Sequence, residues 1–254
     1  MKSVLLSFLC LATVALAEKP VVADPKAHAI VDKFIEASGG EDAFKKIKTR
    51  VAEGQMSLPA MGMKMKIKLS QKAPNKVQME QGIEGFLSGK QGYDGKTGWS
   101  EDTIQGFREL QGSELAQLQR ESNITRELNL KTDFPGMKLL PETEVDGKKV
   151  SVIEATSKDD RKETWYFDQE SHLMVKMDQK MTLGPQGELD VTITLKDYKE
   201  VDGIKLPMTS EVKNPAFTGV LTLSSVKHNV DLADTLFDSP QKEKEPQPEE
   251  SSVD

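Results

Sequence analysis

The chain has 254 residues, of which 37% are hydrophobic and 30% charged, and its formal net charge is −7. An acidic chain without clustered lysines and arginines among aromatics argues against a nucleic-acid partner. Cys10 is the only cysteine, so a disulfide within the chain is excluded. No stretch approaches the roughly 20 apolar residues of a transmembrane helix.

The first 17 residues have the pattern of a secretory signal peptide. Lys2 precedes an apolar run at residues 4–14, and Ala15 and Ala17 are the small side chains that signal peptidase requires. We expect cleavage after Ala17 and a periplasmic or secreted protein with 33 basic and 41 acidic residues, a net charge of −8. Cys10 lies within the apolar run after two large residues, which favours a soluble exported protein over a lipid-anchored one.

The rest of the chain is predicted to form one domain and a tail. Residues 18–240 are within the length that single β-rich domains reach. Residues 241–254 contain five acidic side chains, two prolines and one large apolar side chain, Val253. Such a composition cannot bury enough surface to offset its ordering entropy, and it predicts a disordered acidic tail.

Two helices are expected before the first strand. Asp24 is a suitable cap before Pro25, and apolar residues continue at helical spacing as far as the Gly39-Gly40 pair. The sequence therefore predicts a helix over residues 25–38. A second, short helix is predicted over residues 41–47.

From Thr49 onward the apolar period changes from nearly four to two. Apolar residues at 63, 65, 67 and 69 alternate with lysines at 64, 66 and 68, which indicates a strand with one buried and one solvated face. The flanking segments alternate similarly, as in an antiparallel meander. Later strands are expected at residues 150–155, 163–168, 172–179, 189–198, 204–212 and 218–227.

Three Asp-Gly pairs mark expected hairpins. They are Asp94-Gly95, Asp146-Gly147 and Asp202-Gly203. Asp and Gly tolerate the positive φ angles that a tight type I′ turn needs at both central residues. We therefore expect three hairpins with this turn.

One helix is expected to interrupt the strands, over residues 113–128 with Ser113 as its cap. It is predicted either to lie on the concave side of the sheet as a lid or to cover a sheet edge. With so many antiparallel strands in one chain, the sheet must curl or close.

No catalytic or metal-binding signature is present. His28, His172 and His228 are far apart in sequence and belong to no metal-ligand motif. The chain has neither a nucleophile elbow of the form G-x-S-x-G nor a phosphate-binding loop of the form G-x-x-x-x-G-K-[ST]. We therefore expect no enzyme, no metal and no cofactor.

Methionine is the residue type with a pattern, since five of the eleven lie within residues 56–79. Methionine suits a surface that accepts variable apolar shapes, but these residues are equally compatible with an ordinary core. The two tryptophans are interpreted either as packing anchors or as part of a cavity wall. The predicted apolar cavity comprises Met56, Leu58, Met63, Met65, Ile67, Met79, Trp99 and Trp165.

Four segments resemble those of a known group of exported bacterial proteins. Residues 29–40, 93–99, 165–168 and 197–207 resemble outer-membrane lipoprotein-sorting proteins of the LolA/LolB lipoprotein-carrier superfamily, and the likeness covers most of residues 26–240. It implies an α+β, mostly antiparallel fold, an incomplete, half-open β-barrel with N-terminal helices and an inserted helix on the concave face. It also implies acyl-chain binding there and one functional arginine, for which Arg50, Arg108 and Arg126 are candidates.

Two functions follow as hypotheses. The first is a non-catalytic carrier or binding protein for an acyl chain, lipid or lipoprotein in the half-barrel. The second is a structural or interaction module of the cell envelope whose sheet is filled by its own side chains. A continuous apolar cavity of about 300 to 1,000 Å³ would favour the first.

Overall fold

The computed structural model describes residues 23–83, 85–182 and 187–241. The predicted signal peptide lies outside these residues, as does all but the first residue of the predicted tail.

A single antiparallel sheet of 13 strands dominates the fold, and its spatial order is β6-β5-β4-β3-β2-β1-β13-β12-β11-β10-β9-β8-β7. The alternating segments and the predicted later strands are all part of it. The strands are β1 (Thr49–Leu58), β2 (Met63–Lys72), β3 (Lys76–Ile83), β4 (Leu87–Tyr93), β5 (Gly98–Asp102), β6 (Gly106–Glu109), β7 (Gly136–Val145), β8 (Lys148–Thr156), β9 (Lys162–Asp168), β10 (Met174–Thr182), β11 (Glu188–Val201), β12 (Ile204–Lys213) and β13 (Thr218–His228).

The first and last strands lie side by side in the middle of this sheet. The chain starts at β1, meanders outward to β6 at one edge, crosses to β7 at the other edge and meanders back to β13. The β1–β13 seam runs from the Arg50 and His228 pair to the Ser57 and Val220 pair. The edge strands β6 and β7 do not pair with each other, so the barrel is incomplete, as predicted.

The crossover from β6 to β7 contains the inserted helix. It comprises α3 (Gly112–Ser122), a 3-10 turn (Arg126–Asn129) and the short α4 (Leu130–Asp133). The single helix predicted for residues 113–128 is therefore too long. Its predicted cap is also wrong, because the cap position is Gln111 and no side chain caps the helix.

Contacts of α3 show how strongly the sheet curls. This 11-residue helix is about 16 Å long, yet it touches β3, β4 and β5 on one side and β10 on the other. In a flat sheet β5 and β10 would lie eight strand spacings, roughly 38 Å, apart. The sheet must therefore wrap around the crossover, which lies on its concave face.

The two N-terminal helices form as predicted, and α1 covers the strands at the β7 side. The side chain of Asp24 accepts a hydrogen bond from the backbone N–H of Lys26 at 2.8 Å and caps α1 (Pro25–Ala37). Buried residues of α1 pack with the aromatic side chains of β9; the ring centroids of Phe34 and Phe167 are 5.4 Å apart. The next helix, α2 (Glu41–Lys46), buries Phe44.

All three Asp-Gly hairpins form, but only two have the predicted turn. Both residues have positive φ at Asp146-Gly147 and at Asp202-Gly203. At Asp94-Gly95 only the glycine does. There the Asp94 carboxylate instead accepts hydrogen bonds from the N–H groups of Lys96 and Thr97, both at 2.8 Å. The fold is α+β and mostly antiparallel. No helix among the described residues combines the length and apolar composition needed to span a membrane.

Candidate functional site

A cavity of about 800 Å³ lies between the concave face of the sheet and the crossover. Strands β9 to β13 form its floor, and α1, α2 and the crossover form the opposite wall. Its large apolar lining residues are Phe34, Phe44, Leu130, Phe134, Trp165, Met174, Met177, Met181, Ile193, Leu195, Leu206, Val212 and Leu221.

Strand register explains why these side chains meet. Residues directly opposite each other on antiparallel strands point to the same face. One row of such pairs runs from Trp165 through Met177 and Ile193 to Val212. A second row joins Leu195, Ser210 and Leu221. The floor is therefore apolar because most of the side chains that five adjacent strands, β9 to β13, direct to this face are apolar.

The end of the crossover is held to the sheet beside the cavity. The backbone carbonyl of Asp133, the last residue of α4, accepts a hydrogen bond from the N–H of Lys158 at 3.2 Å. The guanidinium of Arg161 lies 5.3 Å from the centroid of the Phe134 ring. The Glu163 carboxylate accepts one hydrogen bond from Nη1 of Arg161 at 3.0 Å and another from the indole N–H of Trp165 at 2.8 Å. These contacts place a charged rim above an apolar floor.

The rim also contains the carboxylate of Glu121. Burial raises the pKa of Glu121 above the usual glutamate range, and the nearby Arg126 and Arg120 oppose this rise only in part. Glu121 accepts a hydrogen bond from the Gln117 side chain at 3.0 Å. Burial also raises the pKa of Tyr198, whose hydroxyl donates to the carbonyl of Met174 at 2.6 Å. The site therefore places a carboxyl group with a raised pKa and a tyrosine hydroxyl beside apolar side chains.

Arg50 lies beneath the crossover, on the concave face near the cavity. Its Nε donates to Nε2 of His228 at 3.1 Å, and Nη1 donates to Oε1 of Gln71 at 3.4 Å. The His228 Nε2 must then be an acceptor, so its Nδ1 carries the proton toward Asp202, 3.2 Å away. Burial and the positive charge of Arg50 lower the pKa of His228, which agrees with a neutral ring.

The other two candidate arginines have different surroundings. Arg108 makes two hydrogen bonds to the carboxylate of Glu114 at 2.7 and 2.9 Å, which join β6 to α3. Arg126 lines the cavity and lies 3.9 Å from Glu127. Arg50 is the one whose hydrogen bonds join β1, β2 and β13.

Six of the residues predicted for the cavity share the concave face and are called the methionine surface: Met56, Leu58, Met63, Met65, Ile67 and Met79. The pairs Met56 with Met65 and Leu58 with Met63 share that face with Leu221, which lies opposite Met56. All of these predicted residues are half-buried, as are Ile67 and Met79. They extend the apolar face of the floor beyond the residues that line the cavity. Trp165 is the one predicted cavity residue among the lining residues.

Trp99 lies elsewhere. It is opposite Gly92, in a row with Gln78 and Ser70 that faces away from the concave side. Its ring is 1% exposed, and its Nε1 donates to the carbonyl of Phe237 at 3.1 Å. The structure therefore identifies Trp99 as the packing anchor of the 3-10 turn Asp234–Phe237.

Sequence reasoning missed most of the floor. Val191, Ile193 and Leu195 alternate as clearly as the methionine strand does, and Met174, Met177 and Met181 form a second methionine group. These signals were present, but the denser methionine cluster in β1–β3 drew the prediction to the other half of the sheet. Within the described ranges, no three His, Cys, Asp or Glu side chains come together in a way that would hold a metal ion.

No protein-family model matches the chain, and no curated protein matches it by sequence. A DUF1329 family protein from Desulfovibrio piger has a TM-score of 0.58 at 15% identity, over 84% of this chain and 97% of that one. A LolA superfamily protein from Nitrosomonas europaea has a TM-score of 0.56 at 18% identity, over 84% and 97%.

A third similar structure is an outer-membrane lipoprotein-sorting protein domain from Vibrio parahaemolyticus. Its TM-score is 0.54 at 14% identity, over 84% of this chain and 96% of that one. At these identities the similarity shows the fold. The chain has a LolA-like fold, an open half-barrel with helices on its concave face, and this confirms the fold that the four sequence segments implied.

Proposed function

We propose that the protein is a non-catalytic carrier or binding protein that holds an acyl chain, as a lipid or lipoprotein, in the cavity of the half-barrel. The observation that carries this proposal is the cavity of about 800 Å³ with an apolar floor and a charged rim. Ligand sites usually measure about 300 to 1,000 Å³. An amphiphile matches the lining, because its tail would cover the floor and its polar end would meet the rim.

The energetics are sufficient for an alkyl chain. Each buried methylene contributes about 0.8 kcal/mol, so eight methylenes contribute roughly 6 kcal/mol before the cost of immobilising the ligand. The apolar sequence pattern at residues 1–17 supports an exported protein that meets such ligands in the cell envelope. The fold shared with a lipoprotein-sorting domain and with a LolA superfamily protein also supports the proposal.

The test is native mass spectrometry of the full-length chain, expressed with its own N-terminus and purified from the envelope. Leu221→Lys places an ammonium in the cavity wall, whereas the neighbouring Thr222→Lys places it on the exposed opposite face. We expect lipid to co-purify with the wild type and with Thr222→Lys, and to be lost from folded Leu221→Lys. Wild-type protein that is free of lipid and binds no fluorescent fatty acid would favour the structural module instead.

A third variant tests how far the ligand extends. Met65→Lys changes the methionine surface, and Met65 is not one of the residues that line the cavity. If the alkyl chain continues along this surface, the variant should retain shorter acyl chains than the wild type does. An unchanged set of bound lipids would restrict the ligand to the cavity over β9–β13.

A further inference from the structure

Three large apolar side chains are exposed in the part of the chain that the structure describes. They are Met61, Phe86 and Ile104, with exposed fractions of 57%, 77% and 81%. Each lies in the turn of a different hairpin: β1–β2, β3–β4 and β5–β6. Large apolar side chains at such exposure are unfavourable in water unless another surface covers them.

The meander places these three turns at the same end of the sheet. Strands β1 to β6 follow each other as antiparallel neighbours, so successive turns alternate between the two ends. The turns that follow β1, β3 and β5 therefore share one end. Neighbouring turns in this row are two strand spacings, roughly 10 Å, apart.

The opposite end of the sheet is polar. Its turns present the exposed side chains of Lys96, Asp146, Glu170 and Asp202. The apolar character of the first end is confined to its β1–β6 half, because the β8–β9 turn at the same end carries the exposed side chains of Lys158, Asp159 and Asp160.

An apolar path joins this end to the cavity. The β12–β13 turn lies beside the β1–β2 turn, because Ser57 pairs with Val220. A Cβ atom at Gly219 would lie 2.9 Å from the sulfur of Met56 and 3.6 Å from the ring of Phe217, so these side chains pack over that glycine. Gly219 in turn pairs with Val212, a cavity residue.

We propose that the end of the sheet bearing Met61, Phe86 and Ile104 docks on the surface of a lipid bilayer. Single side chains on narrow turns offer little continuous area for a folded partner, whose interface with this chain would need roughly 800 Å² on each side. A fluid bilayer can accept each side chain separately at the boundary between headgroups and acyl chains. The exposed Lys64 and Lys213 border the row and suit anionic headgroups.

Docking would place the mouth of the apolar path against the acyl chains. The proposal goes beyond ligand binding in the cavity and does not need the cavity to be loaded.

Vesicle flotation of the mature protein tests this proposal, with phosphatidylcholine vesicles that contain or lack phosphatidylglycerol. The tip variant carries Met61→Ser, Phe86→Ser and Ile104→Ser. The matched control carries Lys96→Ser, Lys149→Ser and Glu170→Ser at the opposite end. All six side chains are exposed, so thermal melts should show both variants folded. We expect the wild type and the control to float, and the partition coefficient of the tip variant to fall by roughly a hundredfold.

Two outcomes would overturn the proposal: wild-type protein that stays at the bottom with both vesicle types, or a folded tip variant that floats as well as the wild type. Leu221→Lys separates docking from ligand binding. If it lacks lipid and still floats, both proposals hold. If the wild type co-purifies with lipid but does not float, docking fails while the carrier function stands.

Discussion

Desolvation of the Glu121 carboxylate, in helix α3 of the crossover, gives the stability of the protein a specific dependence on pH. Its pKa in the folded state is raised above the usual 4.5, mainly by loss of water around the carboxylate. A raised folded-state pKa means that folding favours the protonated form. The stabilisation is therefore complete below pH 4.5 and is lost as the pH rises through the folded-state pKa.

Glu121→Gln should remove this dependence. The amide keeps an acceptor for Gln117 and carries no charge to desolvate. We expect the variant to have a higher melting temperature than the wild type at neutral pH, with the difference shrinking as the pH falls toward 4.5. Thermal melts across this range measure it. A variant that melts below the wild type at neutral pH would show that Arg126 and Arg120 dominate over burial.

Gly92 is required by the ring of Trp99. A Cβ atom at this position would lie 2.6 Å from the indole ring, closer than side chains can approach. Gly92→Ala should therefore cost about 1 to 3 kcal/mol in the free energy of unfolding, measured by urea titration. Ser88→Ala, at an exposed position of the same strand, is the control and should change it by less than about 0.5 kcal/mol. Equal effects of the two would contradict close packing at Trp99.

At the level of elements, an ion pair attaches the beginning of the crossover to the sheet. The paired hydrogen bonds from Arg108 to Glu114 join β6 to the first turn of α3. We expect Arg108→Met to speed amide hydrogen exchange over residues 112–122, while the global free energy of unfolding falls by only about 1 kcal/mol.

An exposed ion pair elsewhere provides the control for that measurement. Glu41→Gln removes the partner of Lys45 within α2 and should leave exchange in α3 unchanged. If Arg108→Met also leaves it unchanged, then α3 is held by its leucine packing and by the hydrogen bonds from Gln71 to the Glu121 carbonyl and from Gln119 to the Tyr93 hydroxyl. The packing leucines are Leu115 and Leu118.

Elements that are formed by a local sequence pattern could be predicted well, and elements that depend on particular side-chain contacts could not. The β2 strand alternates apolar and lysine residues, and this local pattern fixed its two faces correctly. The crossover was harder, because Asn123 accepts hydrogen bonds from the N–H and hydroxyl of Thr125 and ends the helix early. The type of the Asp94-Gly95 turn also depended on such a side-chain contact.

The cavity could not be located from the sequence, since its position depends on where the crossover lies over the sheet. Alternation predicts which side chains share a face of one strand, but not which part of that face a helix covers. Here Leu115 and Leu118 pack on Val77 and Tyr93, in the half that carries the methionine surface. The helix fills that half, and the cavity lies over β9 to β13.

On the scale of the whole molecule, the end of the described chain is part of the core. Phe237 is 0% exposed, its carbonyl accepts from Trp99, and the carbonyl of Leu236 accepts from Gln78 at 2.7 Å. The predicted tail begins only four residues later. Two truncations can therefore distinguish the contribution of the packed segment to stability from that of the predicted tail.

Truncation after Pro240 should leave the melting temperature within about 2 °C, because it removes only residues 241–254. Truncation after Leu232 should lower it by roughly 10 °C, since it removes a buried aromatic ring and leaves the Trp99 N–H without its acceptor. Differential scanning calorimetry of the two proteins measures both effects. A large loss from the shorter deletion would mean that the tail packs on the domain.

The seam between β1 and β13 also has a consequence for the order in which the molecule can be completed. Its paired residues, such as Arg50 and His228, are 178 positions apart, so the two half-sheets cannot join until nearly the whole chain is available. Until then β1 has an unpaired edge, and pairing over such long sequence separations is slow. A newly made chain would thus remain open while its last strand is synthesised, which is the condition a polypeptide needs if it is to be threaded through a membrane before it folds.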